Sequence, residues 1–189
     1  MTLNFRFAMV ANGTTPVAEY SLDEEDYLDI GLEMLEIVNP ENPYTISQKG
    51  ENVYYCYTNE NNITFFCVCD KSINEDKRKL FLNELQKHWI LEYGNNADFE
   101  PYSKDDSFGE NTIKLLLEVY NDPEKVKKLM EIKYNIYKVL KYTIDNLELA
   151  LMRDSNSEQT IKTCNERLKL YKERMNSFTE EELSYFKHK

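Results

Sequence analysis

Asp122-Pro123 divides this sequence into two regions built on different patterns. Upstream, short apolar runs alternate with turn residues, and all five glycines fall there: Gly13, Gly31, Gly50, Gly94 and Gly109. Downstream, the chain is rich in Lys, Glu, Leu, Ile and Tyr and has no glycine, a composition suited to continuous helix. Aspartate followed by proline is a helix start, because the side chain caps free amides and proline lacks an N–H that would be unsatisfied at that position anyway. A chain so divided predicts one compact domain of about 120 residues with an extension. The expected boundaries are 1–121 for the domain, 122–177 for a helical region and 178–189 for a C-terminal tail.

Strand signals dominate the first third. "NFRFAMVA" and "TPVAEYS" flank Asn12-Gly13, whose two residues accept the positive φ of a tight hairpin turn, so Phe5–Ala11 and Thr15–Ser21 are predicted to pair. Ser21 and Glu24 fit a capping box, predicting a helix from Ser21 to the stop signal Asn39-Pro40. Its apolar positions Tyr27, Ile30, Met34 and Val38 recur at helical spacing. "YTISQK" reads as a short strand, and "NVYYCYTN" and "ITFFCVCD" as a second hairpin across "ENN". Ser72 and Glu75 suggest the start of a helix whose stripe is Phe81, Leu82, Leu85, Trp89 and Tyr93, with Gly94 after its end. A polar loop leads to a further helix with Phe108, Leu115, Leu116 and Val119 inward. The order implies an α+β domain, a mostly antiparallel sheet covered by helices.

Composition limits the chemistry. Hydrophobic residues make up 41% and aromatics 13%, enough for a packed core. The net charge of −11 argues against a nucleic-acid partner, because phosphate contacts need clustered Lys and Arg. Cys67 and Cys69 fall on one strand face, too close for an ordinary disulfide and without a zinc-site pattern. Both are expected as small buried core residues in a reducing compartment. No apolar run approaches the ~20 residues of a membrane span, and no signal peptide opens the chain, so a soluble, cytoplasmic protein is expected. His88 and His188 have no sequence context for nucleophilic chemistry, and no glycine-rich phosphate loop occurs. Neither an enzyme nor a cofactor or metal is expected.

After Asp122-Pro123, a helix to about Met152 carries Val126, Leu129, Ile132, Ile136, Val139, Leu140, Ile144, Leu147 and Leu151. A heptad seam through Leu129, Ile136 and Leu140 meets Lys133 and Thr143, so the spacing fits a straight helix better than a supercoil. Two readings stand: the helix packs back on its own domain, or it binds partner helices. "RDSNSEQ" interrupts it, a second helix is predicted over Glu158–Met175, and Thr179 with Glu182 caps a last short turn.

The segments "FAMVANGTTPVAEYS", "VYYCYTNENNITFFCVCD", "FLNELQKHWILEYG" and "PYSKDDSF" resemble the N-terminal longin domain of synaptobrevin-like R-SNAREs, in particular the tetanus-insensitive vesicle-associated type. The similarity spans residues 4–121 in order. It implies a profilin-like fold, a five-stranded antiparallel sheet with one helix on one face and two on the other, followed by a SNARE motif and a membrane anchor. "KVLKYTIDN" resembles the centre of that motif, and Tyr142 stands where the family places its zero-layer arginine. Tyrosine cannot supply the guanidinium fork that meets the partners' glutamines. Ile132, Ile136, Val139, Tyr142 and Leu149 are the candidate SNARE-like residues. The layers beyond Tyr142 fall on Asn146, Leu149, Arg153, Asn156, Thr160 and Thr163, mostly polar, so the motif reads as degenerate. Membrane contact is expected only through an anchor that this sequence does not contain.

The resemblance also implies an apolar groove between the first helix and the third strand, which holds the SNARE helix or receives a sorting adaptor. By position, Tyr44 and Ile46 match its strand side, with Ile30, Met34 and Leu35 as candidates from the helix. The function expected is a vesicle-trafficking longin protein that binds SNARE or adaptor partners, with residues 123–152 folding back on the groove. The alternatives are a working fusion SNARE or a longin-type subunit of an adaptor or tethering complex.

Overall fold

A computed structural model describes residues 3–38, 42–152 and 157–187. Contacts group the chain into two compact units, Met1–Lys125 and Val126–Lys189.

The first unit is an open antiparallel sheet. Its strands are β1 (Phe5–Asn12), β2 (Thr15–Ser21), β3 (Tyr44–Lys49), β4 (Asn52–Thr58) and β5 (Ile63–Asp70), in the order β2-β1-β5-β4-β3. The first hairpin forms where expected and Gly13 takes the positive φ of +56°, but Asn12 does not share it: Asn12 pairs with Thr15 at the end of β1, and the turn is made by Gly13 and Thr14. β1 and β5 lie centrally with both faces covered, so nearly every residue in them is buried and their sequences run apolar instead of alternating. Helix α1 (Leu28–Ile37) covers one face over Phe7, Met9, Tyr54, Phe66 and Val68. Helices α2 (Glu75–Tyr93) and α3 (Lys114–Tyr120) cover the other, where Phe81 stacks on Phe5 at 4.6 Å and Tyr120 meets both edge-on. The expected one-plus-two arrangement of helices about a five-stranded sheet is the one found.

Three local expectations need correction. Ser21 does not start α1. It still pairs with Phe7 in the sheet, and Leu22 N–H donates to the Arg6 carbonyl at 2.8 Å, so this backbone belongs to the ladder. Asp23 and Asp26 then form local turns through their side chains, accepting from Glu25 N and Leu28 N, and delay the helix to Leu28. Its predicted stop, Asn39-Pro40, lies outside the described residues. Asn74, rather than Ser72, caps α2, accepting from Lys77 N at 3.0 Å. Finally, of the residues expected inward Leu115 is exposed and Val119 half-buried, while Leu117, not among them, is buried. Residues Asp105–Ile113 form a π-helix whose bonds span five residues, as from Gly109 N to the Lys104 carbonyl. The wider turns shift the inward stripe to Phe108, Ile113, Leu116, Leu117 and Tyr120.

The second unit is helical. Asp122 caps α4 (Pro123–Leu151) by accepting from Glu124 N and Lys125 N. Ser157 caps α5 (Glu158–Asn176). The described part of 178–189 is no loose tail: it forms α6 (Glu180–Lys187), started by a reciprocal capping box between Thr179 and Glu182. His188 lies outside the described residues. Contacts run in reverse order along α4, from Glu148–Lys172 through Tyr137–Phe178 to Lys133–Glu182, so α5 and α6 return antiparallel to it. No helix among the described residues is long and apolar enough to cross a membrane.

Candidate partner-binding surfaces

The inward seam of α4 passes through Met130, Lys133, Tyr137, Leu140, Ile144, Leu147 and Leu151, a spacing of three and four. Lys133, which breaks the seam on paper, finds Glu182 at 2.6 Å in a pair almost shielded from water. Around it Tyr134, Tyr137, Phe178 and Phe186 form an aromatic cluster with centroids 5.3 to 5.8 Å apart. The inward stripe of this helix thus includes Lys133, whose counter-ion lies 49 residues on.

The five SNARE-like candidates lie elsewhere on the same helix. Ile132, Ile136, Val139, Tyr142 and Leu149 are all exposed, Tyr142 by 70%. Tyr142 is two residues, about 200° of rotation, from both Leu140 and Ile144, so its row faces away from the seam. Beside that row, Ile136, Val139, Leu140 and Thr143 meet Tyr171 and Arg174 of α5 around a groove of about 430 Å³. Of the downstream layers, Arg153 and Asn156 lie outside the described residues, while Thr160 and Thr163 are on α5, beyond the reversal.

In the sheet unit the five groove candidates do not line one surface. Tyr44 pairs with Tyr57 and Ile46 with Tyr55, which pairs in turn with Cys67. Side chains of directly paired residues share a face, so Tyr44 and Ile46 stand on the α2 face. Met34 and Leu35 are buried on the opposite face in the α1 core, with Ile30 packed half-buried against it. β3 offers the α1 face Thr45, Ser47 and Lys49, none of them apolar.

What the α2 face does provide is an aromatic and cationic step. Tyr44 stacks on Tyr55 at 5.7 Å and lies 5.0 Å from Tyr57. Lys79 Nζ sits 5.0 Å over the Tyr44 ring and bonds Glu75 at 3.1 Å, and the Arg78 guanidinium lies 5.2 Å over Tyr55. Burial, reinforced by the Glu75 carboxylate, pushes the Tyr55 phenol well above its usual range. Ile46 stands beside this step, 58% exposed. Neither Lys79 nor Arg78 was singled out from sequence; only their i and i+1 placement after a cap offered a signal.

The family model described as the longin, regulated-SNARE-like domain matches residues 17–111. The chain belongs to the longin family. Its relatives include vesicle-associated membrane protein 7 of mouse and of human, each 24% identical over 156 residues that cover 82% of this chain and 70% of the relative. Vesicle-associated membrane protein 713 of Arabidopsis thaliana is 22% identical over 154 residues, covering 80% and 69%. These alignments are longer than the longin match and extend into the helical unit or its approach. Among the described residues, no cluster of His, Cys, Asp or Glu could hold a metal ion.

The longin unit and the helical unit also differ in charge. Residues 1–125 hold 10 Lys and Arg against 24 Asp and Glu, a net −14, while residues 126–189 hold 13 against 10, a net +3.

Proposed function

We propose that this longin protein serves vesicle trafficking at endomembrane surfaces as a SNARE-related binding module, not as an enzyme. The observation that carries the reading is the second apolar row on α4. A helix whose seam is already filled still presents Ile132, Ile136, Val139, Tyr142 and Leu149 to solvent, and such a row calls for a partner. The description of the matching family, a regulated-SNARE-like domain, supports SNARE proteins as those partners, with sorting adaptors as the alternative. Tyr44 and Ile46 on the longin unit are the second docking element, and residues 123–152 compete with external partners for it. The opposite net charges of the two units favour that internal association.

A fusion SNARE is the weaker reading. A continuous rod through the layers beyond Tyr142 would require α5 to leave its antiparallel place beside α4. The test is amide hydrogen exchange on the full chain against the Tyr44→Ser, Ile46→Ser double variant. Competition for one surface expects faster exchange across 123–152 in the variant. Unchanged protection there overturns the internal-competition half of the proposal.

A further inference from the structure

We propose that the groove between α4 and α5 seats a third helix, an amphipathic one whose apolar stripe is flanked by acidic residues. This rests on the reading that the outer row of α4 receives partners, and it specifies which part of the row and what kind of partner.

The groove is one flank of the α4–α5 hairpin. Leu140, Ile144 and Leu168 are buried where the two helices face each other. On one flank Lys172 bonds Glu148 at 2.6 Å and ties the helices together. On the other, Ile136, Val139 and Thr143 stand opposite Tyr171 and Arg174 around about 430 Å³ of open space. Ile136 and Val139 are 49% and 65% exposed there. The Thr143 hydroxyl already donates to the Val139 carbonyl at 2.7 Å, so the α4 wall asks an occupant for no hydrogen bond. A concave apolar strip between two helices accepts the side-chain ridge of a third.

Local charge chooses the occupant. Followed from the lining residues at steps of three and four, the strip on α4 runs from Lys128 through Ile132 to Asn146. On α5 it runs from Thr160 through Thr163 and Arg167 to Arg174. The two strips hold Lys128, Arg167 and Arg174 and not one acidic residue. Glu131 and Asp145 on α4 stand roughly 110° or more round the helix from the line of Ile136, Val139 and Thr143. Glu166 and Glu173 stand as far from the line of Tyr171 and Arg174 on α5. None of the three cations forms an ion pair with another described residue. Both rims are thus basic and open, and a helix with carboxylates on either side of its stripe answers them. A second copy docked groove to groove would set the same cations against themselves. A lipid surface would meet the cations but is too flat to fill the strip.

The strip from Lys128 to Asn146 is about 27 Å long, which a helix of about 20 residues spans. The test titrates the full chain, isotope-labelled, with a blocked 21-residue peptide of three heptads that carries leucine at its seam and glutamate beside it. A second peptide has lysine in place of glutamate. The acidic peptide is expected to shift Ile136, Val139, Thr143, Tyr171 and Arg174, leave Lys172 in place, and bind about ten-fold or more tighter than the lysine peptide. The double variant Arg167→Glu, Arg174→Glu is expected to reverse that preference with helix content unchanged by circular dichroism. Val139→Gln, at an exposed position that tolerates a polar residue, is a second variant expected to weaken the acidic peptide.

Equal affinity for the two peptides overturns the charge assignment. Shifts at Tyr142 and Leu149 with none at Tyr171 and Arg174 overturn the groove but leave the outer row as a partner surface. Capture by phosphatidylserine vesicles, with neither peptide bound, assigns the cations to a membrane and overturns the helix. If neither peptide shifts any α4 resonance, the groove proposal falls. Capture of SNARE helices that the double arginine variant leaves unchanged would then show that the reading it rests on survives without it.

Discussion

The longin unit and the helical unit solve the problem of burial in different ways. In the first, Met9, Phe65, Phe66, Cys67, Phe81, Trp89 and Phe108 are wholly shielded, because every central strand is covered on both faces. In the second, a few residues carry the core, among them Met130, Leu140, Ile144, Leu168 and Phe186, together with the Lys133–Glu182 pair. One unit is closed over its core and leaves only scattered apolar side chains such as Ile37, Ile46 and Leu91 outside. The other keeps a full apolar row outside. The difference suggests a stable platform joined to a marginal bundle that can be rebuilt around a partner.

The sharpest way to break that contrast is at the ion pair. Lys133→Met leaves Glu182 buried without its counter-ion, which costs about 3–5 kcal/mol. That exceeds what so thin a core can absorb, so helix content from 126–187 is expected to melt out while the longin unit keeps its fold. Adding Glu182→Leu should recover part of the loss, since two apolar groups replace two charges while the capping bond from Thr179 N–H is given up. Circular dichroism with denaturant titration reads both effects. An unchanged midpoint in the single variant would mean that the pair is open to water.

Within the longin unit the most sensitive point is Gly109. A Cβ there would lie 2.5 Å from the Glu19 carbonyl oxygen, a backbone atom that cannot move without disturbing β2. Gly109→Ala is expected to cost about 1–3 kcal/mol, read as a lower midpoint of the longin transition only. Loss of the helical transition as well would show the two units to be coupled.

These two sites also mark what could and could not be read from sequence. The hairpin was legible because Gly13 states its turn chemistry locally, though the turn proper falls one residue later than expected, on Gly13 and Thr14, and the Thr179–Glu182 box was legible because its partners are three residues apart. Lys133 looked like a flaw in a heptad because its partner, Glu182, is distant in the chain. The Leu115 and Leu117 exchange was hidden for a different reason: a π-helical stretch changes the period, and a fixed period of 3.6 then puts the wrong residue inward. Of the groove, alternation correctly set Tyr44 and Ile46 on one face. It could not say which face, since that depends on the register from β3 through β4 to β5.

A smaller effect sharpens the same unit through pH. Burial, with Asp105 and Asp26 nearby, pushes the Glu19 carboxyl up to about 7 from an ordinary 4.5, and its Oε2 is buried without a hydrogen bond. A raised carboxyl pKa means that the folded state holds the proton more tightly than the unfolded chain. Stability from this group is therefore greatest below about pH 4.5, falls as pH rises to about 7, and is flat above. Glu19→Gln stays neutral throughout. It should match the parent at pH 4 and exceed it at pH 8 by about 1–2 kcal/mol, after allowance for partial exposure. Equal melting curves at pH 8 would mean that Glu19 ionises there at no cost to the fold.

The smallest effect on folding is expected where the effect on function should be largest. Tyr142 is 70% exposed, and its backbone carbonyl accepts from Asn146 Nδ2 at 2.8 Å, a bond that its side chain does not make. Tyr142→Ala should therefore change the stability of the isolated chain by no more than about 0.5 kcal/mol. If the outer row of α4 is a docking face, the same change should weaken capture of a partner helix by about ten-fold, because a central aromatic carries much of such an interface. Tyr142→Arg separates the two kinds of partner. Restored binding of glutamine-bearing SNARE helices would show that a zero-layer geometry survives on this face. Binding lost with arginine and retained with phenylalanine would show a surface that has exchanged a polar layer for an aromatic anchor, and with it the fusion bundle for a different partner.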